Sequence, residues 1–253
     1  MPDAVSIPAI YRRALVTGAT SGIGKAVVLA LRDAGLQVIA VGRSPEALAQ
    51  LRSERDVIVV EADVRQADAF TDLLARYPVD VLVNNAGVLS TRASFQEMDP
   101  TEIDNMFDIN LKAPLHLTRK ALPGMIERGH GHLFFIGSSA GRAPHPGAAV
   151  YGASKAGISL FCDALRCDLL GSGVRVTEIA PGRVQTQLYK TAMGMQAAGA
   201  ELYEGYELIM PQDIATLLLA ALSLPQQVDV SRLEVFPTAQ AVGGARMVKT
   251  REQ

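Results

Sequence analysis

The sequence predicts an α/β fold: a doubly wound, parallel, seven-stranded sheet with helices on both faces, forming one domain over residues 1–253. Three observations predict it. Short, almost continuously apolar runs recur along the chain, the composition of parallel strands buried on both faces. Between them lie longer stretches of helical periodicity, and such alternation gives a sheet covered by helices on each side. Residues that bear chemistry cluster just after the apolar runs, at the strand ends beyond which ligands of such sheets bind.

The first strand is expected at Arg13–Thr17, running into a glycine turn and a helix over Gly22–Ala34. A second strand, Gln37–Val41, precedes a helix at Pro45–Arg52, and a third, Val57–Glu61, precedes one at Ala67–Arg76. The fourth strand, Val79–Asn84, leads to one long helix, Thr101–Glu127. His132–Gly137 and Tyr151–Leu170 are the next pair, followed by Arg175–Ile179, Pro211–Leu224 and the last strand, Arg232–Phe236. Pro45, Pro100 and Pro211 stand at helix starts, where a missing amide is harmless. Gly35 and Gly171 follow helix ends. The segment 187–210 is long for a connection, so it is functional or mobile. It carries Leu188, Tyr189, Met193, Met195, Leu202, Tyr203 and Tyr206, with Gly194, Gly199 and Gly205 as flexible points.

Composition narrows the function classes. Net charge is −2 with no basic block, which argues against a nucleic-acid partner. Cys162 and Cys167 lie five apart on one predicted helix and point to different faces, as expected of a chain kept in a reducing cytosol. The longest apolar run, IATLLLAALSLP, is too short to span a bilayer, so no membrane is expected. None of His116, His130, His132 and His145 has metal-ligand spacing with cysteine or acid, and no metal is expected.

The chemistry concentrates in YGASK (151–155) and FFIGSSAG. Tyr151 and Lys155 are four apart on a helix and share a face. Bringing a phenol from its usual pKa to neutrality takes about 3 units, or roughly 4 kcal/mol. One charge about 4 Å away, at an effective dielectric near 20, supplies roughly that much. Tyr151 is thus a candidate acid/base, and Ser138, thirteen residues earlier, can donate to a substrate carbonyl. Proton transfer at an oxygen needs a hydride carrier to be complete. The turn TGATSGIG (17–24) can hold one, with Gly18 allowing the bend and Gly22 and Gly24 letting amides approach a pyrophosphate at the helix N-terminus. Its G-x-x-x-G-x-G spacing departs from the usual dinucleotide fingerprint.

Across nearly its whole length the chain resembles the short-chain dehydrogenase/reductase family, of compact single-domain, Rossmann-like type. The resemblance rests on TGATSGIG, ADV at 62–64, NNAG at 84–87, Asn110 in FDINLKAP, GSSAG at 137–141, YGASK and PGRVQT at 181–186, in that order. It implies a nicotinamide cofactor and a small alcohol or carbonyl substrate. Tyr151 would be the general acid/base, Lys155 would lower its pKa and hold the ribose, Ser138 would orient the carbonyl, and Asn110 would anchor a proton-feeding water chain. Cofactor contacts would come from Gly18, Thr20, Ser21, Gly22, Ile23 and Gly24 in the turn. Asp63 and Val64 would flank the adenine, and Asn84, Ala86 and Gly87 would line the cofactor side. Pro181, Gly182, Val184 and Thr186 would meet the nicotinamide, Thr186 through its carboxamide. The segment 187–210 would form a lid, and the long helices would pair into a homotetramer or homodimer.

Cofactor choice turns on the end of the second strand, where an acid would bind the ribose of NAD. Gly42 and Arg43 stand there instead, which favours NADP(H) over NAD(H). The tail VDVSRLEVFPTAQ looks like that of a subgroup acting on 3-hydroxy acids, although PGRVQTQLYK departs from it. His145, Arg142 and Arg183 are candidate substrate contacts. A silent nucleotide-binding protein of the same fold is the rival, and the presence of Ser138, Tyr151 and Lys155 argues against it. A sugar-nucleotide epimerase would need a further domain for which the chain has no room.

Overall fold

The computed structural model describes residues 6–54, 56–66, 68–90, 94–193, 203–242 and 246–249. The strands are β1 (Arg13–Thr17), β2 (Gln37–Gly42), β3 (Val57–Glu61), β4 (Val81–Asn84), β5 (Gly131–Ile136), β6 (Val174–Pro181) and β7 (Arg232–Val235). They form one sheet in the order β3-β2-β1-β4-β5-β6-β7, every neighbouring pair parallel. The order reverses between β1 and β4, which opens a crevice at their carboxyl ends. The helices are α1 (Gly22–Asp33), α2 (Pro45–Arg52), α3 (Ala69–Arg76), α4 (Pro100–Phe107), α5 (Ala113–Arg128), α6 (Ala149–Asp168), α7 (Gln187–Met193) and α8 (Pro211–Ser223). Among the described residues, no helix is long and apolar enough to cross a membrane.

Strand side chains alternate between two cores. Ala14, Val16, Val38, Ala40, Val81 and Val83 pack with Val27, Val28 and Leu31 of α1 and Ile214 and Leu218 of α8. Leu15, Ile39, Val41, Leu82 and Leu133 pack with Leu117 and Met125 of α5 and Ile158 and Cys162 of α6. Each fully buried aliphatic side chain stabilises by about 1.5–3 kcal/mol relative to exposure, so the two layers hold the strand ends rigidly under the site.

Most boundaries fall within two residues of expectation, and three of the differences have a local reason. Strand β4 starts at Val81, because the preceding Asp80 turns its carboxylate onto the amides of Arg12 (2.9 Å) and Arg13 (3.1 Å). The helix expected over Thr101–Glu127 is interrupted by a wide π turn at Asp108–Lys112, with buried Asn110 at its centre. Strand β6 runs on to Pro181, because Ala180 and Pro181 still pair with β7. Helix α3 begins at Ala69; Ala67, its expected start, lies outside the described residues.

Among the described residues, no acid pairs with the buried charge of Arg175. Arg175 on β6 is 2 % exposed. Its guanidinium donates to the carbonyls of Ala221 (3.2 Å), Leu222 (2.9 Å), Leu224 (3.3 Å) and Val228 (3.0 Å), and its Nε to the Tyr11 hydroxyl (3.2 Å). It closes the C-terminal end of α8, where unpaired carbonyls and the helix dipole favour a cation. The same positive charge, after burial itself, holds the neighbouring His132 imidazole well below its usual pKa.

Candidate active site

One cleft of about 410 Å³ runs along the carboxyl ends of the strands, from Arg43 and Ser44 after β2 to Ser138, Tyr151 and Lys155. The turn after β1 forms its floor. Gly18 (φ 63°) and Gly22 (φ 50°) take left-handed conformations there, which a side chain would strain. Thr20, Ser21 and Ile23 also line the cleft, as expected. Gly24 does not: a Cβ there would run into the Gly18 carbonyl, so this glycine lets α1 pack on its own turn.

The segment after β4 requires a correction. Ala86 and Gly87 line the cleft, but the Asn84 side chain does not. Asn84 is 6 % exposed and donates to the Thr118 hydroxyl at 3.1 Å, toward α5. Its neighbour Asn85 lines the cleft instead and ties β4 to the glycine turn by donating to the carbonyls of Thr17 (2.8 Å) and Gly18 (3.2 Å). Strand alternation could have identified the swap, since successive side chains point to opposite faces. Asp63 and Val64 line the adenosine end. Asp63 is held below the ordinary carboxylate range, chiefly by hydrogen bonds from Arg65, with Arg43 adding a smaller attraction. Pro181, Gly182, Val184 and Thr186 close the far wall.

The candidate proton-transfer groups converge at the β5 end. Ser138 leaves the strand in extended conformation and its Oγ accepts from the Ala140 amide at 3.1 Å. Ser139 is buried and faces away from the cleft, in line with the choice of Ser138. The Lys155 ammonium, 5 % exposed, donates to the Ile136 carbonyl at 2.7 Å and lies 5.8 Å from the Tyr151 ring centroid. Burial pushes its pKa down to about 8, with Glu178 opposing. The Tyr151 phenol is pushed up, first by burial and then by the Tyr189 phenol, with a hydrogen bond from Ser138 pulling the other way. Desolvation opposes the attraction of one lysine for one phenolate, and in the ligand-free chain desolvation wins. The resting phenol is therefore neutral, the form that can donate a proton.

Asn110 sits behind this group. Its Oδ1 accepts from the Val88 amide at 2.8 Å, while its Nδ2 donates to the Val88 carbonyl (2.9 Å) and to Ser154 Oγ (3.3 Å). Ser154 in turn donates to the Tyr151 carbonyl at 2.7 Å. The asparagine side chain thus clamps the β4 loop to α6, next to Tyr151.

None of His145, Arg142 and Arg183 lines the cleft. Arg142 lies 3.9 Å from Glu234, and the Arg183 guanidinium stacks 5.7 Å from the Tyr206 centroid. Helix α7 covers the cleft with Leu188 and Tyr189. Its base is pinned where Gln185 N donates to the Ile209 carbonyl (2.9 Å) and Tyr203 Oη to the Thr186 carbonyl (2.6 Å). Residues 194–202, with Gly194, Met195, Gly199 and Leu202, lie outside the described residues.

The short chain dehydrogenase family model matches residues 12–197. The chain is 52 % identical over 239 residues to an uncharacterized short-chain type dehydrogenase/reductase of Sinorhizobium fredii, covering 94 % of this chain and 96 % of that one. It is 36 % identical to the NADP-dependent 3-hydroxy acid dehydrogenase of Escherichia coli K12, covering 91 % and 96 % respectively. Among solved structures, the closed form of serine dehydrogenase complexed with NADP+ superposes with a TM-score of 0.88 at 35 % identity, over 95 % of this chain and 100 % of that one. With glycine turn, strand-end cleft and the Ser138, Tyr151 and Lys155 cluster in the family's order, the chain belongs to the short-chain dehydrogenase/reductase family.

Proposed function

We propose that the chain is an NADP(H)-dependent oxidoreductase that interconverts the alcohol and carbonyl forms of a small hydroxy acid. One observation carries the reading: the cleft that begins at Arg43 ends on Ser138, Tyr151 and Lys155. The relatives acting on a 3-hydroxy acid and on serine support the substrate class, since serine is itself a 3-hydroxy acid. The residues present fit the cofactor. The left-handed glycines bare amides at the start of α1. Gly42 places no carboxylate where one would repel a 2′-phosphate, and a Cβ there would crowd the Thr20 methyl. Arg43, exposed beside it, would pair with that phosphate.

When bound, NADPH supplies the hydride. Ser138 would hold the carbonyl oxygen by a hydrogen bond, and Tyr151 would donate its phenolic proton to that oxygen as the carbonyl carbon is reduced. The Lys155 ammonium would stabilise the phenolate left behind and bond the ribose. Asn110 would keep Tyr151 and the β4 loop in register, with an anchoring role toward water. Helix α7 and Thr186 would exclude solvent from the reacting carbon. The neutral phenol of the resting site suits reduction.

Screening small keto acids, hydroxy acids and simple ketones for change in NADPH absorbance tests the reading. Turnover is expected with acids bearing a 3-hydroxyl or its carbonyl counterpart; inertness across the panel would count against it. Arg43→Ala is expected to weaken NADP(H) by about ten- to a hundredfold, the loss of one charge-assisted pair, and to leave NAD(H) nearly unchanged. Equal losses for both cofactors, measured by fluorescence titration, would assign Arg43 a structural role. A homotetramer is the expected assembly, because Leu160 of α6 and Ile126 of α5 are exposed apolar residues on the helices that the family pairs; light scattering reads it directly.

A further inference from the structure

Glu178 has no part in the reaction described above, yet it is a carboxylate with 0 % exposure in the middle of β6. A charge buried there is costly, and an apolar side chain would serve the core as well. Its surroundings are specific. Oε2 accepts from Arg232 Nε of β7 at 2.6 Å, and Oε1 from Ser159 Oγ of α6 at 2.5 Å. Oε1 also lies against Gly137, where any Cβ would overlap it. Gly137 joins Ile136, whose carbonyl holds the Lys155 ammonium, to Ser138. Ser159 is one helical turn beyond Lys155 on the same face of α6.

We propose that Glu178 is a positioning residue for Lys155: held by Ser159 and Arg232 behind the Ile136–Gly137 peptide, its carboxylate supplies the negative charge that keeps the buried lysine an ammonium. The proposal rests on the reading of Lys155 as the partner of Tyr151. The field of Glu178 opposes the effect of burial on Lys155 and adds to that of burial on the Cys162 thiol. Charged or titratable groups in the same neighbourhood are Cys162, Asp163 and Arg166 of α6 and Arg232 of β7, while Phe135 of β5 and the following Gly137 face Glu178 from the neighbouring strand. Arg232 is shared with Asp163 at 3.1 Å, so its charge is only partly directed at Glu178.

Two variants move the lysine in opposite directions. E178Q keeps shape but removes the negative charge, so Lys155 should lose its proton about one unit lower in pH. R232Q removes a positive charge that competes with the lysine, so the titration should move upward. The readout is NMR titration of [13Cε]-lysine protein, with the Lys155 signal assigned by its loss in Lys155→Met. In NADPH-dependent reduction, the alkaline limb of kcat against pH should move with the NMR titration in each variant, with E178Q roughly tenfold slower than the parent on that limb. A purely structural role would instead scale kcat equally at all pH values. If E178Q does not fold, R232Q decides alone. An unmoved Lys155 titration in the folded variants overturns the proposal, even where Lys155→Met abolishes turnover. Full turnover by Lys155→Met overturns the parent reading of the lysine, and the catalytic part of this one with it.

Discussion

Tyr151→Phe is expected to lower kcat by about 10²–10⁴-fold, the range in which a positioned acid or base contributes to catalysis, while NADP(H) affinity stays close to that of the parent. The substitution removes one oxygen and leaves the ring packed beneath α7. The two readouts separate the roles: turnover reports the proton, and fluorescence titration reports the cofactor. Lys155→Ala should lose both together, because its ammonium would serve the phenol and the ribose at once. Near-parental turnover by the Tyr151→Phe protein would remove the tyrosine from the mechanism. Because burial holds the phenol above its usual range and Lys155 down to about 8, reduction should fall off as pH rises through that region, where the lysine loses its charge and can no longer stabilise the phenolate.

Arg175→Ala is expected to be the most damaging single change away from the site. It removes a guanidinium that satisfies carbonyls at the end of α8 and the Tyr11 hydroxyl. Leaving buried acceptors without donors costs about 1–3 kcal/mol for each group that water cannot reach, so a loss on the order of 3 kcal/mol is expected. For a chain of this size that corresponds to roughly 6–12 °C in Tm, read by calorimetry. Arg175→Lys should recover only part, since one ammonium cannot span the same set of carbonyls. A Tm within about 2 °C of the parent for Arg175→Ala would show that water replaces the guanidinium.

Most of the sheet was legible because parallel strands buried on both faces leave short apolar runs, such as ALVT and LFFI, that are bounded by glycine or polar residues. The candidate cluster was legible too, since Tyr151 and Lys155 are close in sequence and Ser138 follows a strand end. What escaped depended on contacts between distant segments. Arg175 and Glu178 sit in VRVTEIAP and look like solvent-facing charges, and only the arrival of α8, α6 and β7 makes them interior. The exchange of Asn84 for Asn85 turned on one residue of strand phase. The pKa balance at Tyr151 could not be reckoned without burial, a property of the assembled cleft.

The π turn at Asp108–Lys112 has a consequence for how this region tolerates change in length. A wide turn amounts to one residue added to an α-helix, and each residue advances a helix by about 100°. Downstream, Ala113, Leu117, Ala121 and Met125 share the buried face of α5; upstream, α4 keeps Met106 inward. The two helices are therefore out of phase by design of the extra residue, and Asn110 occupies the seam. Deleting one residue here would make a more regular helix and a worse protein. Either the α5 stripe would rotate off the sheet, or Asn110 would swing away from Val88 and release the loop it clamps.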